Sequence, residues 1–99
     1  MKNPDRMAVT RLDQLPNIGM AIAEDLRMLG IEHPQQLIGQ DPLQLWQALG
    51  QKTGRRHDPC VLDTFMAAVN FMEGGASRPW WSFTAERKRL YGQITNSER

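Results

Sequence analysis

Ninety-nine residues, 40% hydrophobic and 23% charged, suffice for one domain of radius roughly 13 Å and exclude a second independent core. Twelve Lys and Arg against eleven Asp and Glu leave a formal charge of +1, which excludes a global polyelectrolyte field aimed at nucleic acid or membrane. Any basic patch must be local.

In chain order, Met1 to Thr10 carries Lys2, Asp5 and Arg6 and no apolar stretch of the kind a secretory signal needs. Asn3-Pro4 predicts a first helix near Pro4 to Asp13. Asn offers an oxygen to the unpaired amides of a first turn, and proline at the first helical position gives up an N–H that lacks a partner there. His33-Pro34, Asp41-Pro42 and Asp58-Pro59 repeat the signal, with Gln36 and Gln44 placed to return a capping-box hydrogen bond.

Ile22, Ala23, Leu26 and Leu29 form the stripe of a second helix near Met20 to Leu29, closed by Gly30. A short connector helix near Pro34 to Ile38 follows. A fourth helix starts at Pro42, carries Leu45, Trp46 and Leu49, and ends between Gly50 and Gly54. A fifth starts at Pro59, where Val61, Leu62, Phe65, Ala68, Val69 and Met72 keep three-and-four spacing up to the Gly74-Gly75 stop. Residues 78–83 read as extended or irregular, and Thr84 is placed to cap a last helix. No segment alternates with period two, so the fold class is all-α, about five core helices plus a C-terminal extension. The expected division is a helical domain over 1–75 and an aromatic-basic extension over 76–99 packed on it. No run approaches the roughly 18 apolar residues of a membrane span.

Between the first two helices, Leu15-Pro16-Asn17-Ile18-Gly19 followed by Met20-Ala21-Ile22 resembles the helix-hairpin-helix motif. In that family the turn lets backbone amides at the start of the second helix grip a DNA phosphate without reading bases. The physics is general, because those amides are unpaired and the helix dipole favours an anion there. Gly19 is the position expected to tolerate replacement least. The chain departs from the family pattern twice: Asn17 stands where the first glycine does, and Met20, Ala21 and Ile22 stand where a Lys or Arg is usual. From Leu15 to Glu32 one Arg faces three carboxylates, a net −2, which opposes phosphate binding.

The turn between the fourth and fifth helices is of opposite sign, with Lys52, Arg55 and Arg56 beside His57. Residues 1–50 hold four basic and six acidic side chains, net −2, and residues 51–99 hold eight and five, net +3. The arrangement resembles a tandem helix-hairpin-helix (SAM-like) domain whose second hairpin would present that charge.

Over roughly residues 12 to 89, the run Leu15 to Gly30, the segment Arg56-His57-Asp58-Pro59-Cys60-Val61-Leu62-Asp63 and Arg78-Pro79-Trp80-Trp81 are also similar to the bacterial pathogenicity-locus proteins, some of them labelled mitomycin resistance proteins. A related turn occurs in the C-terminal domain of the competence regulator TfoX. The resemblance implies a bacterial cytosolic protein with a link to DNA damage.

His57, Asp58, Cys60 and Asp63 crowd one helix start. A closed zinc site usually needs four ligands, and there is no second cysteine. Asp58 reads better as a cap, and Cys60 as a small residue of the first turn. A lone cysteine cannot close a disulfide within the chain, which favours a reducing, cytoplasmic setting. Cysteine catalysis assisted by His57 is the remaining enzyme reading, and no catalytic set, cofactor motif or metal site is expected. Trp80, Trp81 and Phe83, beside Arg78 and ahead of Arg87, Lys88 and Arg89, suit either base stacking or coverage of the core.

The expected function is therefore non-catalytic binding. Sequence-independent DNA association is the leading form, with Asn17, Ile18 and Gly19 offering amides and Lys52, Arg55 and Arg56 adding charge. The alternative is a protein-interaction module in which the hairpin is only architectural.

Overall fold

The computed structural model describes residues 2–96. Among them are four α-helices, α1 (Met20–Met28), α2 (Pro42–Thr53), α3 (Pro59–Met72) and α4 (Thr84–Asn96), together with three 3-10 turns at Leu12–Gln14, Pro34–Leu37 and Trp80–Phe83. No strand occurs among the described residues, in keeping with the all-α reading. The Cα radius of gyration is 12.7 Å.

Proline and aspartate set the helix starts as their chemistry dictates. The Asp41 carboxylate accepts from the Leu43 amide at 2.9 Å and Asp58 from the Cys60 amide at 2.8 Å, with Pro42 and Pro59 at the first helical positions. At the connector, the Gln36 side-chain oxygen accepts from the amides of His33 and Glu32, at 2.8 and 2.6 Å. Gly54, at φ 74°, ends α2 in left-handed geometry open to few residues other than glycine.

Helix α3 is the spine of the core. Its residues Leu62, Phe65, Ala68 and Phe71 are almost fully enclosed, and the remaining residues from 62 to 69 are buried too. It packs against α2, α4, the connector turn and the Trp80–Phe83 turn. Each such Leu or Phe removed from water contributes about 1.5–3 kcal/mol, so α3 is where stability concentrates.

Three expectations are corrected. The predicted first helix over 4–13 is not formed, so the count of five core helices does not hold. Residues 6–8 instead make a turn closed by the Ala8 amide on the Asp5 carbonyl, at 2.9 Å. Asp5 initiates it by accepting from the Met7 amide at 3.0 Å, so Asn3 caps no helix. The reason is that Met7 lies in solvent, leaving no apolar stripe, while Arg6 is drawn onto the Phe71 carbonyl at 2.8 Å and over the Phe71 ring. The connector is present as a 3-10 helix over Pro34–Leu37. Residues 80–83 also form a 3-10 turn, and Thr84 is already helical, its hydroxyl donating to Asp63 at 2.8 Å instead of capping α4.

Candidate functional site

The turn over residues 15–19 is anchored from inside. Leu15 and Ile18 have no exposed surface, and between them Asn17 takes φ 69°, a left-handed conformation Asn accepts more readily than most residues. The chain then enters α1 through Gly19, at φ −96° and ψ −170°, with no side chain among the described residues bonded to the helix's first amides. Ala23 is the first to donate along the helix, to the Gly19 carbonyl at 3.0 Å. The start of α1 is thus open and solvent-facing. The Ile18 amide does not belong to it, because it already donates to the Leu15 carbonyl at 3.2 Å. Gly19 corrects a fourth expectation. A Cβ built there meets nothing within 4 Å, and its φ is one any residue adopts, so the fold itself does not require glycine.

Asn17 does not project its side chain toward the open helix start. Its amide donates to the Arg78 carbonyl at 2.8 Å and its oxygen accepts from the Trp80 amide at 3.2 Å. The N-terminal arm arrives at the same place: the Lys2 ammonium donates to the Ile18 carbonyl at 2.8 Å and to the Asp13 carbonyl, and Ser77 donates to the Lys2 carbonyl at 2.7 Å. Three segments distant in sequence therefore meet at the turn. Lys2 thus brings a cation to the turn from 16 positions before Ile18. Nothing in the local pattern signals Lys2, since the link is purely tertiary.

The second turn is built differently. Arg55 donates its amide to the Gly50 carbonyl at 3.1 Å, across Gly54, and Lys52 and Arg55 are exposed. Arg56 is folded back, its guanidinium 5.6 Å from the Trp46 ring centroid and donating to the Thr95 carbonyl. An open cleft of about 530 Å³ lies between Trp46, Arg55, Arg56, His57 and Ile94. The α3 amides behind this turn are closed by Asp58, whose carboxyl is held below its usual range by the Cys60 amide it accepts from. An anion approaching the start of α3 would meet that carboxylate. The two turns divide the labour expected of one: the first has open amides and the second has surface charge.

The aromatic residues of the C-terminal segment have three separate fates. Phe83 is buried, Trp80 is half-buried, and Trp81 is 64% exposed. Arg78 lies over the Phe83 ring at 3.9 Å and donates to the Ser82 hydroxyl and carbonyl, both at 3.1 Å. Arg87 leaves the expected basic cluster altogether, because it is buried against Asp63. Lys88 and Arg89 are exposed.

Residues 5–89 match the sequence profile of the pathogenicity locus family, Cdd1. The chain belongs to the pathogenicity locus family. It is also 44% identical over 79 residues to the mitomycin resistance protein McrB of Streptomyces lavendulae, a match covering 80% of this chain and 75% of that protein. No solved structure matches it. Within this member of the pathogenicity locus family, the matched region takes in both turns and the Trp80–Phe83 turn.

The His57, Asp58, Cys60 and Asp63 cluster is dispersed by the fold of this pathogenicity locus protein. His57 Nε2 is 2.8 Å from the Thr53 hydroxyl, and Asp63 is turned into the core. Cys60 is exposed, and its thiol pKa is pushed up by partial desolvation and then by the neighbouring Asp58 carboxylate. That is the opposite of the electropositive setting that generates a thiolate. No group of three His, Cys, Asp or Glu converges among the described residues, and no helix among them is long and apolar enough to cross a membrane.

Proposed function

We propose that this pathogenicity locus protein is a non-catalytic binding protein that associates with DNA without reading its sequence. The observation that carries the reading is the open start of α1, where Gly19 leaves the first amides unbonded and leaves space for a backbone phosphate to approach. The Lys2 ammonium beside the Ile18 carbonyl offsets the acidic charge of α1. We read the Leu12–Gln14 turn with α1, and α2 with α3, as two helix-hairpin-helix units joined by the Pro34–Leu37 connector, a tandem (SAM-like) arrangement with its first helix reduced to one 3-10 turn. Lys52 and Arg55 would add long-range attraction, Arg56 less so because it is tied to Thr95. A cytoplasmic setting, a bacterial DNA-damage context and the name of the Streptomyces lavendulae relative go together with this reading.

The test is a titration of labelled duplex DNA at two salt concentrations. Affinity should fall steeply with salt, since log K declines with a slope of about −0.9 per phosphate neutralised. Replacing Lys52 and Arg55 by Ala should weaken binding alike for every sequence and flatten that slope. Absence of binding at low salt sinks the proposal. A protein-interaction module is the second reading, favoured by Leu90 and Ile94, both exposed one turn apart on α4. Such an interface would be much less sensitive to salt.

A further inference from the structure

Trp81 is the one exposed tryptophan among the described residues, and it stands on a hydrogen-bonded turn. Its 3-10 turn is closed by the Ser82 amide on the Pro79 carbonyl at 3.0 Å and braced by the Ser82 hydroxyl on that same carbonyl at 2.8 Å. The next residue back, Trp80, donates its backbone amide to Asn17, which ties this segment of chain to the 15–19 turn. A tryptophan buries 150–250 Å² when enclosed, so a rigid turn that holds one 64% exposed forgoes much of that burial. Two cations share the junction. The donors of Lys2 go to the Asp13 and Ile18 carbonyls, and those of Arg78 to the hydroxyl and carbonyl of Ser82, so neither is paired with a carboxylate among the described residues. An ammonium has three N–H donors, and two are used, leaving one for a ligand.

We propose that this junction takes DNA carrying an unpaired base, which stacks on Trp81 while Lys2 and Arg78 supply charge to the neighbouring phosphates. The inference rests on the DNA reading above and narrows it. An exposed indole one residue from Ser82, which Arg78 holds, and on a segment tied to the turn that Lys2 reaches, has the makings of a stacking platform, and every base offers it a π-face whatever the sequence. A continuous duplex keeps its bases stacked on each other and offers Trp81 nothing. An overhang, a gap or a single strand does.

The test compares a labelled blunt duplex with the same duplex bearing a single-stranded overhang, by fluorescence anisotropy. The overhang should raise affinity roughly 5- to 150-fold, the range that one stacked base supplies. Trp81→Ala should erase that gain and leave blunt-duplex affinity unchanged, Trp81→Phe should keep part of it, and Lys2→Ala should weaken both substrates. Because Trp81 is on the surface, circular dichroism of Trp81→Ala should match the parent. An overhang preference that survives Trp81→Ala overturns the inference, as does equal binding of both substrates; in the latter case the DNA reading stands without it. Binding to neither substrate overturns both.

Discussion

The Asp63 carboxylate meets the Arg87 guanidinium at 2.8 Å with almost no solvent on either side chain. Thr84 donates to the other carboxylate oxygen at 2.8 Å, and Arg87 also reaches the Thr95 hydroxyl at 3.4 Å. This buried pair fastens α4 to α3. Removing one partner leaves the other charge buried and alone, so Arg87→Met should lower stability by about 3–5 kcal/mol in urea unfolding. The double variant Asp63→Leu with Arg87→Met should be more stable than Arg87→Met alone, because no orphan charge remains.

Asn17 combines two roles that substitution separates. Asn17→Gly keeps the left-handed backbone and loses both side-chain hydrogen bonds to Arg78 and Trp80. At about 0.5–1.5 kcal/mol for each bond, the expected cost is about 1–3 kcal/mol. Asn17→Ala should cost about 1 kcal/mol more, the strain of a Cβ at positive φ. Equal stability of the two variants would show that the backbone at Asn17 had relaxed.

Gly19→Ala distinguishes folding from binding. With open space around the position and φ −96°, stability should stay within about 1 kcal/mol of the parent, since the loss of a glycine cap and the lower entropy of the unfolded chain oppose each other. DNA affinity should fall, because the methyl group stands where a phosphate would approach. Thermal melts and a binding titration on one preparation read both effects.

Asp58 should shape the acid limb of the stability curve. Its folded pKa lies below the ordinary 3.8, held there first by the Cys60 amide. A carboxyl depressed on folding contributes stability that is complete above its unfolded pKa and is lost as pH falls through the folded value. Unfolding free energy should therefore drop below about pH 4, and Asp58→Asn, which keeps a capping oxygen, should flatten that drop. An unchanged slope between pH 4 and pH 2 would assign the acid sensitivity to other carboxyls.

What could be read in advance was local. Asp41-Pro42 and Asp58-Pro59 specify their helix starts within three residues, and the α3 stripe and the 15–19 turn are likewise written in adjacent positions. The first segment forms no helix because Asn3-Pro4 carries a capping pair without an apolar stripe behind it, and Arg6 bonds the Phe71 carbonyl at the far end of α3. Lys2 on Ile18, Asn17 on Trp80 and Asp63 on Arg87 join residues 16 to 63 positions apart. No periodicity encodes such pairs. Sequence likewise places Trp80, Trp81 and Phe83 in one cluster, and only packing decides that Phe83 is buried, Trp80 half-buried and Trp81 exposed.

The bond between Asn17 and Trp80 spans 63 residues, and this sets an order of assembly. During synthesis the 15–19 turn is made before α3, yet the segment that braces it is made only after α3. Contacts of such separation form late, after the entropy of a long closure has been overcome. A nascent chain halted before residue 80 would display the turn without its brace, so the braced turn exists only on chains translated past Trp80.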